Sequence, residues 1–348
     1  MKLGLSCGSW GSGRDADNLA LALRAEELGY SIVWTAEAYG ADTPTVLAWI
    51  GALTTRIRLG AGVMQIPGRT PAMTAMTAAT LDSLSGGRFS LGLGVSGPQV
   101  SEGWHGVRFD KPLGRTREYV QIVRAALART TVTHDGEHFT LPLPDGPGKA
   151  LRLAVAPTGT EVPIHLAAVG PKNLELAGEI ADGWLGVFLS PDFAGGQLAA
   201  IERGKARSRD PGRTFELDAT VPVVVGDDIG ACADLVRPYA ALYVGGMGSR
   251  EQNFYKQLAV RMGYRQEAAQ VQELYLAKRL RDAAAAVPQQ FVDDTSLLGP
   301  PARIGERLTR YAEAGLTSLT VAPWGENLTH RMQAIETVAT AAERVGLL

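Results

Sequence analysis

The chain has 348 residues, with 34 Lys and Arg against 36 Asp and Glu, for a formal charge of −2. That balance excludes the basic excess of a nucleic-acid binder, and 45% hydrophobic with 20% charged residues excludes wholesale disorder and provides for a large core. Two cysteines, Cys7 and Cys232, exclude a disulfide framework and a cysteine-rich metal site.

The start, MKLGLSCGSWGSGRDAD, turns polar too soon for a secretory signal, and no later apolar run reaches the roughly 18 residues of a membrane span. The expectation is a cytoplasmic protein that does not bind a membrane. Apolar runs predict strands at Lys2–Ser6, Ser31–Ala36, Arg56–Val63 and Arg88–Gly94, then at Pro163–Val169, Gly183–Phe188, Glu216–Val225 and Thr317–Ala322. Most are continuously apolar, as parallel strands covered on both faces are. Helical faces fall between them: Leu21, Ala25 and Leu28; Ile304, Leu308, Tyr311 and Ala312; Met332, Ile335, Ala339 and Ala342. Five helix starts are marked by a capping residue or glycine followed by proline, or by two prolines: Thr43-Pro44, Thr70-Pro71, Gly170-Pro171, Ser190-Pro191 and Pro300-Pro301. Proline suits the first helical turn because the N–H it lacks would have no partner there.

Eight such units predict a (β/α)8 barrel forming a single domain over residues 1–348, with a doubly wound open sheet as the alternative. Two insertions are expected. Thr130–Leu141 reads as a hairpin turning at Asp135-Gly136, and Gly245–Gln290 reads as a helical excursion before the eighth strand.

The chemistry-bearing residues gather after strands. Gly92, Gly94 and Gly97 spell G-x-G-x-x-G, but Pro98 follows at once and no apolar helix opens, so backbone approach to a flat ligand is the preferred reading over a dinucleotide fingerprint. His134 and His138 with Glu137 have metal-ligand spacing only on a helix, which Asp135-Gly136 breaks; no metal is expected. Ser96 in GVSGP falls short of a nucleophile elbow. Cys7 reads as a small core residue. Glu37, ending the second strand in TAEAYG, is a candidate acid at the active face, or else a loop carboxylate. Trp10, Trp104, His105 and Trp324 follow strands and are candidates to line a pocket. Gly170-Pro171-Lys172 opens a helix whose free amides suit an anion, and Arg250 in YVGGMGSR is a second phosphate candidate.

Taken together, GYSIVWTAEAYG, RIRLGAGVMQIPGRTPAMTAMTAATLDSLSGGRFSLGLGVSG, AAVGPKNLELAGEIADGWLG and YVGGMGSREQNFYKQLAVRMGY resemble the luciferase-like family of flavin and deazaflavin oxidoreductases. The closest likeness is to its coenzyme F420-dependent branch. The resemblance implies a barrel with the cofactor at the C-terminal ends of the strands, hydride transfer at C5 of the deazaflavin, and a homodimer. It implies a non-prolyl cis peptide at Gly62–Val63, ring contacts from Glu37, Gly62, Val63, Gln65, Ser96 and Gly97, and phosphate contacts from Ala168, Val169, Gly170 and Pro171, with Lys172 beside them. The family's sugar-phosphate dehydrogenases carry an Asp-His pair where this chain has Glu37-Ala38, so oxidation of glucose 6-phosphate is not expected. A reductase of a small organic substrate is, with Glu37 or His105 supplying the proton. The alternatives are an FMN-dependent monooxygenase and a non-catalytic flavin-binding protein.

Overall fold

The computed structural model describes residues 1–155, 158 and 161–348. Eight parallel strands close into a barrel: β1 Lys2–Ser6, β2 Ile32–Thr35, β3 Arg58–Ala61, β4 Phe89–Gly94, β5 Ile164–Ala167, β6 Gly183–Val187, β7 Glu216–Val225 and β8 Ser318–Pro323. Each pairs with the next, and β1 pairs with β8, Leu5 standing opposite Val33 on one side and Val321 on the other. Closure rejects the open-sheet alternative. The helices α1 Asp15–Glu27, α2 Thr43–Leu53, α3 Pro71–Ser85, α4 Pro112–Leu127, α5 Pro171–Ile180, α6 Gly195–Lys205, α7 Ile229–Ala241, α8 Pro301–Glu313 and α9 Leu328–Arg344 accompany these strands.

The predicted apolar faces are the packed ones. Ile304, Leu308 and Tyr311 of α8 and Ile335, Ala339 and Ala342 of α9 are buried. Thr70 caps α3 by accepting from the Met73 amide, as expected, but α2 is capped by Asp42 rather than Thr43. Ser190-Pro191 does not start a helix: the chain passes through a turn there, and α6 begins at Gly195.

The hairpin pairs His134–Asp135 with Thr140–Leu141 around a four-residue loop, wider than a two-residue Asp-Gly turn. The loop is wide because the Glu118 carboxylate collects the amides of Glu137, His138 and Phe139 inside it. The excursion before the eighth strand comprises helices Phe254–Arg261, Arg265–Leu276, Leu280–Ala285 and Gln289–Asp294. A short strand the sequence did not announce, Leu297–Gly299, then pairs with the upper end of β7. The excursion has a hydrophobic cluster of its own, around Phe188, Val244, Leu258, Val271 and Phe291, distinct from the main core around the barrel.

Polar groups cross the barrel interior. Trp34 on β2 donates its indole N–H to Asp218 on β7 (3.1 Å), a bond across the interior between strands three apart around the barrel. Thr320 donates to the same carboxylate oxygen (2.8 Å), and His165 contacts Glu216 (2.8 Å), which also pairs with Arg58 and Lys2. Glycine makes room for these groups: a Cβ on Gly60 would lie 2.1 Å from the Trp34 ring.

Candidate active site

The C-terminal ends of β2, β3 and β4 converge on one constellation. The Gly62–Val63 peptide, just beyond β3, is cis, at the expected bond. Its flanks are tied to the β2 loop, with the Gly62 amide donating to Thr35 O (2.7 Å) and the Glu37 amide to Val63 O (3.0 Å). Met64–Gln65 then pairs with Leu93–Gly94 of β4. The glycines of the G-x-G-x-x-G run serve this close approach. A Cβ on Gly92 would sit 2.0 Å from Ala61 O, and one on Gly94 2.6 Å from the Val63 side chain. Two of the three glycines thus allow strand contact, and only Gly97 faces open space.

Glu37 is nearly buried, its side chain 9% exposed, and both carboxylate oxygens are engaged. One accepts from the Thr43 amide at the start of α2 (3.2 Å); the other accepts from the Gln65 amide (3.1 Å) and the Arg69 guanidinium (2.7 Å). Arg69 also pairs with Asp42, and its backbone carbonyl accepts from the Tyr119 hydroxyl (3.1 Å). Burial works against the Arg69 charge, but the Glu37 and Asp42 carboxylates hold its pKa above the ordinary value. Sequence reasoning missed Arg69, because a pairing across 32 residues has no local signal.

Gln65, buried, links two further candidates. Its side-chain amide donates to Ser96 Oγ (3.2 Å) and its carbonyl oxygen lies 2.8 Å from His105 Nε2. Since an amide oxygen only accepts, Nε2 carries the hydrogen, and His105 Nδ1 is left as the imidazole's proton-accepting atom. Ser96 Oγ likewise accepts from Gln65 and keeps its own O–H to donate. Ser96 has φ 62°, a left-handed backbone that only a few non-glycine residues adopt.

The second half of the site is the start of α5. Gly170 is its N-cap, with no side chain closing the helix end, and a Cβ there would meet nothing within 4 Å. Pro171 has no N–H, while Asn173 and Leu174 bond back to Gly170 O (3.0 and 2.9 Å). The loop before it is fixed by Trp184, whose indole donates to Ala168 O (2.9 Å), and by Arg261, which donates to Val169 O (3.2 Å). Lys172 is exposed on the first turn. An open helix start with two adjacent cations suits an anion. Arg261 comes from the helical excursion and was not legible in sequence.

Other candidates are placed elsewhere. Trp10 is buried against Trp49 (6.1 Å between centroids), and Trp104 is 67% exposed. Cys7 is buried, its thiol pushed up to about 12 by burial, and is no nucleophile. His134 bonds to Glu118, and among the described residues no group of three or more His, Cys, Asp and Glu is arranged to hold a metal ion. Trp324 is half-buried against Tyr239 (5.6 Å).

The comparisons agree with this architecture. The chain is 46% identical over 328 residues, covering 92% of it and 94% of the relative, to a Mycobacterium tuberculosis protein named as a coenzyme F420-dependent oxidoreductase. It is 29% identical, over 85% of the chain and 86% of the relative, to a 5,10-methylenetetrahydromethanopterin reductase of Archaeoglobus fulgidus. The fold superposes on the coenzyme F420-dependent tetrahydromethanopterin reductase of Methanopyrus kandleri with a TM-score of 0.81 at 23% identity, covering 98% and 97% of the two chains. It superposes on an F420-dependent secondary alcohol dehydrogenase, solved with an F420-acetone adduct, with a TM-score of 0.79 at 20% identity, covering 98% of each. The family described as luciferase-like monooxygenase matches residues 7–318, and the chain belongs to that family.

Proposed function

We propose that the protein is a coenzyme F420-dependent oxidoreductase that reduces a small organic substrate. The observation that carries this reading is the 46% identity, sustained over 92% of the chain, to a protein named for that cofactor. The residues fit the group. The flat ring would rest against Gly62–Val63, flanked by Glu37, Gln65, Ser96 and Gly97, and the phosphate would lie on Ala168–Lys172, where Gly170 leaves the helix start open. The reduced deazaflavin held there would supply the hydride chemistry, from its C5.

The chain's own residues do the rest. Ser96, its Oγ held by Gln65, would offer its O–H to the bound ring. Gln65 holds Ser96 and His105 in register, and His105 holds or releases a proton at Nδ1. Glu37 works as a positioning residue: with its oxygens on Thr43, Gln65 and Arg69, it fixes the segment that carries Gln65 rather than meeting the substrate. Lys172 and Arg261 favour an anionic cofactor at the mouth.

We also propose a homodimer. Trp49 and Leu53 of α2 and Met73, Met76 and Leu84 of α3 are between 43% and 75% exposed, an apolar face on two neighbouring helices. Titrating the apoprotein with F420 and with FMN by fluorescence tests the cofactor. Tighter F420 binding is expected; tighter FMN binding, with oxygen uptake driven by an NADH-linked flavin reductase, makes the protein a monooxygenase instead.

A further inference from the structure

The barrel mouth carries a wall of aromatic rings that no step above uses. Phe188 follows β6, Trp324 follows β8, Tyr239 lies near the end of α7, Tyr243 in the wide turn Leu242–Gly246, and Tyr255 in the first turn of Phe254–Arg261. Phe188 is the buried hub. Its ring stacks on Tyr239 at 5.2 Å, Tyr239 lies 4.7 Å from Tyr243, and Tyr243 lies 4.8 Å from Tyr255. These are the separations of favourable aromatic pairs. Tyr239, Tyr243, Tyr255 and Trp324 are only half-buried, so their outer edges remain accessible beyond the C-terminal ends of the strands.

The wall is held in place. Pro238 interrupts α7, and the helix passes into a π-type turn. Gly245 and Gly246 pack against Tyr275, where an added Cβ would come within 2.5 Å of the Tyr275 Cβ and 2.4 Å of its ring. Buried Asn253 donates to both Tyr243 O (3.0 Å) and Val244 O (2.9 Å) and accepts from the Lys256 amide (2.8 Å). The turn then crosses the mouth, where Gln99, beyond β4, donates to Gly248 O.

The wall is also uncharged. Burial raises the pKa of Tyr239, Tyr243 and Tyr255, and the further influences on them are tyrosines: one another and Tyr39. Tyr311, by contrast, feels Arg307 and two aspartates, and Tyr119 feels Arg69 and Glu37. Tyr39 stands two residues beyond Glu37, so the wall faces the loop that braces the ring-contact segment.

We propose that this wall is the substrate-recognition surface and that it selects a flat, uncharged carbonyl compound over an anionic one. A π-system gains offset stacking on the rings, and a phenol O–H donates to the carbonyl oxygen. The rings named here offer a carboxylate or phosphate no charged partner, so its desolvation on the wall goes unrecovered. The assignment rests on the oxidoreductase reading, and its test separates the two.

Calorimetric titrations of the full chain would use acetylnaphthalene, cyclohexyl methyl ketone and naphthoate, with F420 titrated separately. Acetylnaphthalene is expected to bind about tenfold or more tighter than the other two, and Trp324→Leu or Tyr243→Leu to weaken it about tenfold without changing F420 affinity. The conservative Tyr243→Phe protein keeps the ring, and is expected to lose the preference for acetylnaphthalene over plain naphthalene. Equal binding of naphthoate, or affinity insensitive to Trp324, overturns the assignment. Ketone binding with the expected pattern in a protein that does not bind F420 supports the wall and overturns the cofactor reading. F420 binding with a Trp324-insensitive ketone overturns the wall alone.

Discussion

Both Glu37 oxygens already accept hydrogen bonds from the protein, and replacing the residue separates positioning from proton transfer. Glu37→Gln removes the charge opposite Arg69 and leaves one acceptor oxygen where two had served the Thr43 and Gln65 amides. We expect turnover to fall about tenfold, the shape of the pH profile to persist, and stability to drop by about 1–3 kcal/mol in chemical denaturation. Disappearance of one limb of the pH profile would make Glu37 a proton donor, and unchanged kinetics at every pH would leave it no role in turnover. Gly170 gives a cleaner case. A Cβ there meets nothing within 4 Å, so Gly170→Val should keep the fold and lose no more than about 1 kcal/mol from the poorer N-cap. Its methyl groups would instead occupy the space above the α5 start, and F420 affinity should fall at least about tenfold by fluorescence titration. Unchanged affinity would move the phosphate elsewhere.

At the scale of one strand, β7 places Glu216 and Asp218 two residues apart, hence on the same face, which is the barrel interior. Their titrations oppose one another. Glu216 is held well below the usual carboxylate range, first by its bond to His165 and then by Arg58 and Lys2, against the effect of burial. Its stabilisation is therefore complete above the ordinary Glu pKa and is lost as pH falls. Asp218 is raised to about 6, chiefly by burial, because only Trp34 and Thr320 donate to it and its other oxygen has no partner. The folded state holds that proton more tightly than the unfolded state does. Stability from this group is full below the ordinary Asp pKa and declines as pH rises toward about 6. Asp218→Asn keeps an acceptor for Trp34 and Thr320 without the titration. The difference between mutant and parent should shift in favour of the mutant by about 2 kcal/mol between pH 4 and pH 7, measured by urea unfolding. A difference that stays constant with pH would show that Asp218 does not titrate in this window.

At the scale of the molecule, the barrel leaves its mouth to be completed by the helical excursion, which delivers Arg261, Tyr243 and Tyr255 to the active end. The opposite need, an occupant for the apolar α2–α3 face, is met in our reading by a second copy of the chain. Trp49→Glu with Met76→Glu should convert a dimer into a monomer in light scattering while the barrel stays folded; a parent protein that is already monomeric removes the proposal. No helix among the described residues is long and apolar enough to cross a membrane. Cofactor binding should be salt-sensitive, since Lys172 and Arg261 are exposed at the α5 start. Affinity for F420 should fall about threefold or more between about 0.05 and about 0.5 M salt. No change would exclude these cations from the site.

What the sequence determined by itself is what depends on near neighbours along the chain. Largely apolar runs located all eight barrel strands, because a strand covered on both faces leaves few positions for charge. Thr70-Pro71, Gly170-Pro171 and Pro300-Pro301 marked helix starts because proline fits the first helical turn, where its missing N–H has no partner. Ser190-Pro191 failed as a marker because the same pair also suits a turn. The spacing of Tyr239 and Tyr243 on one helical face, and of Glu216 and Asp218 on one strand face, was present to be read, but neither pattern says what it faces. The tertiary structure alone decided that Glu37 meets Arg69, that Gln65 joins Ser96 to His105, that Asp218 lies under Trp34, and that Arg261 reaches Val169. Each contact spans about 30 residues or more. Such distances are set by barrel closure and by the excursion folding back over the mouth, and no local propensity encodes either.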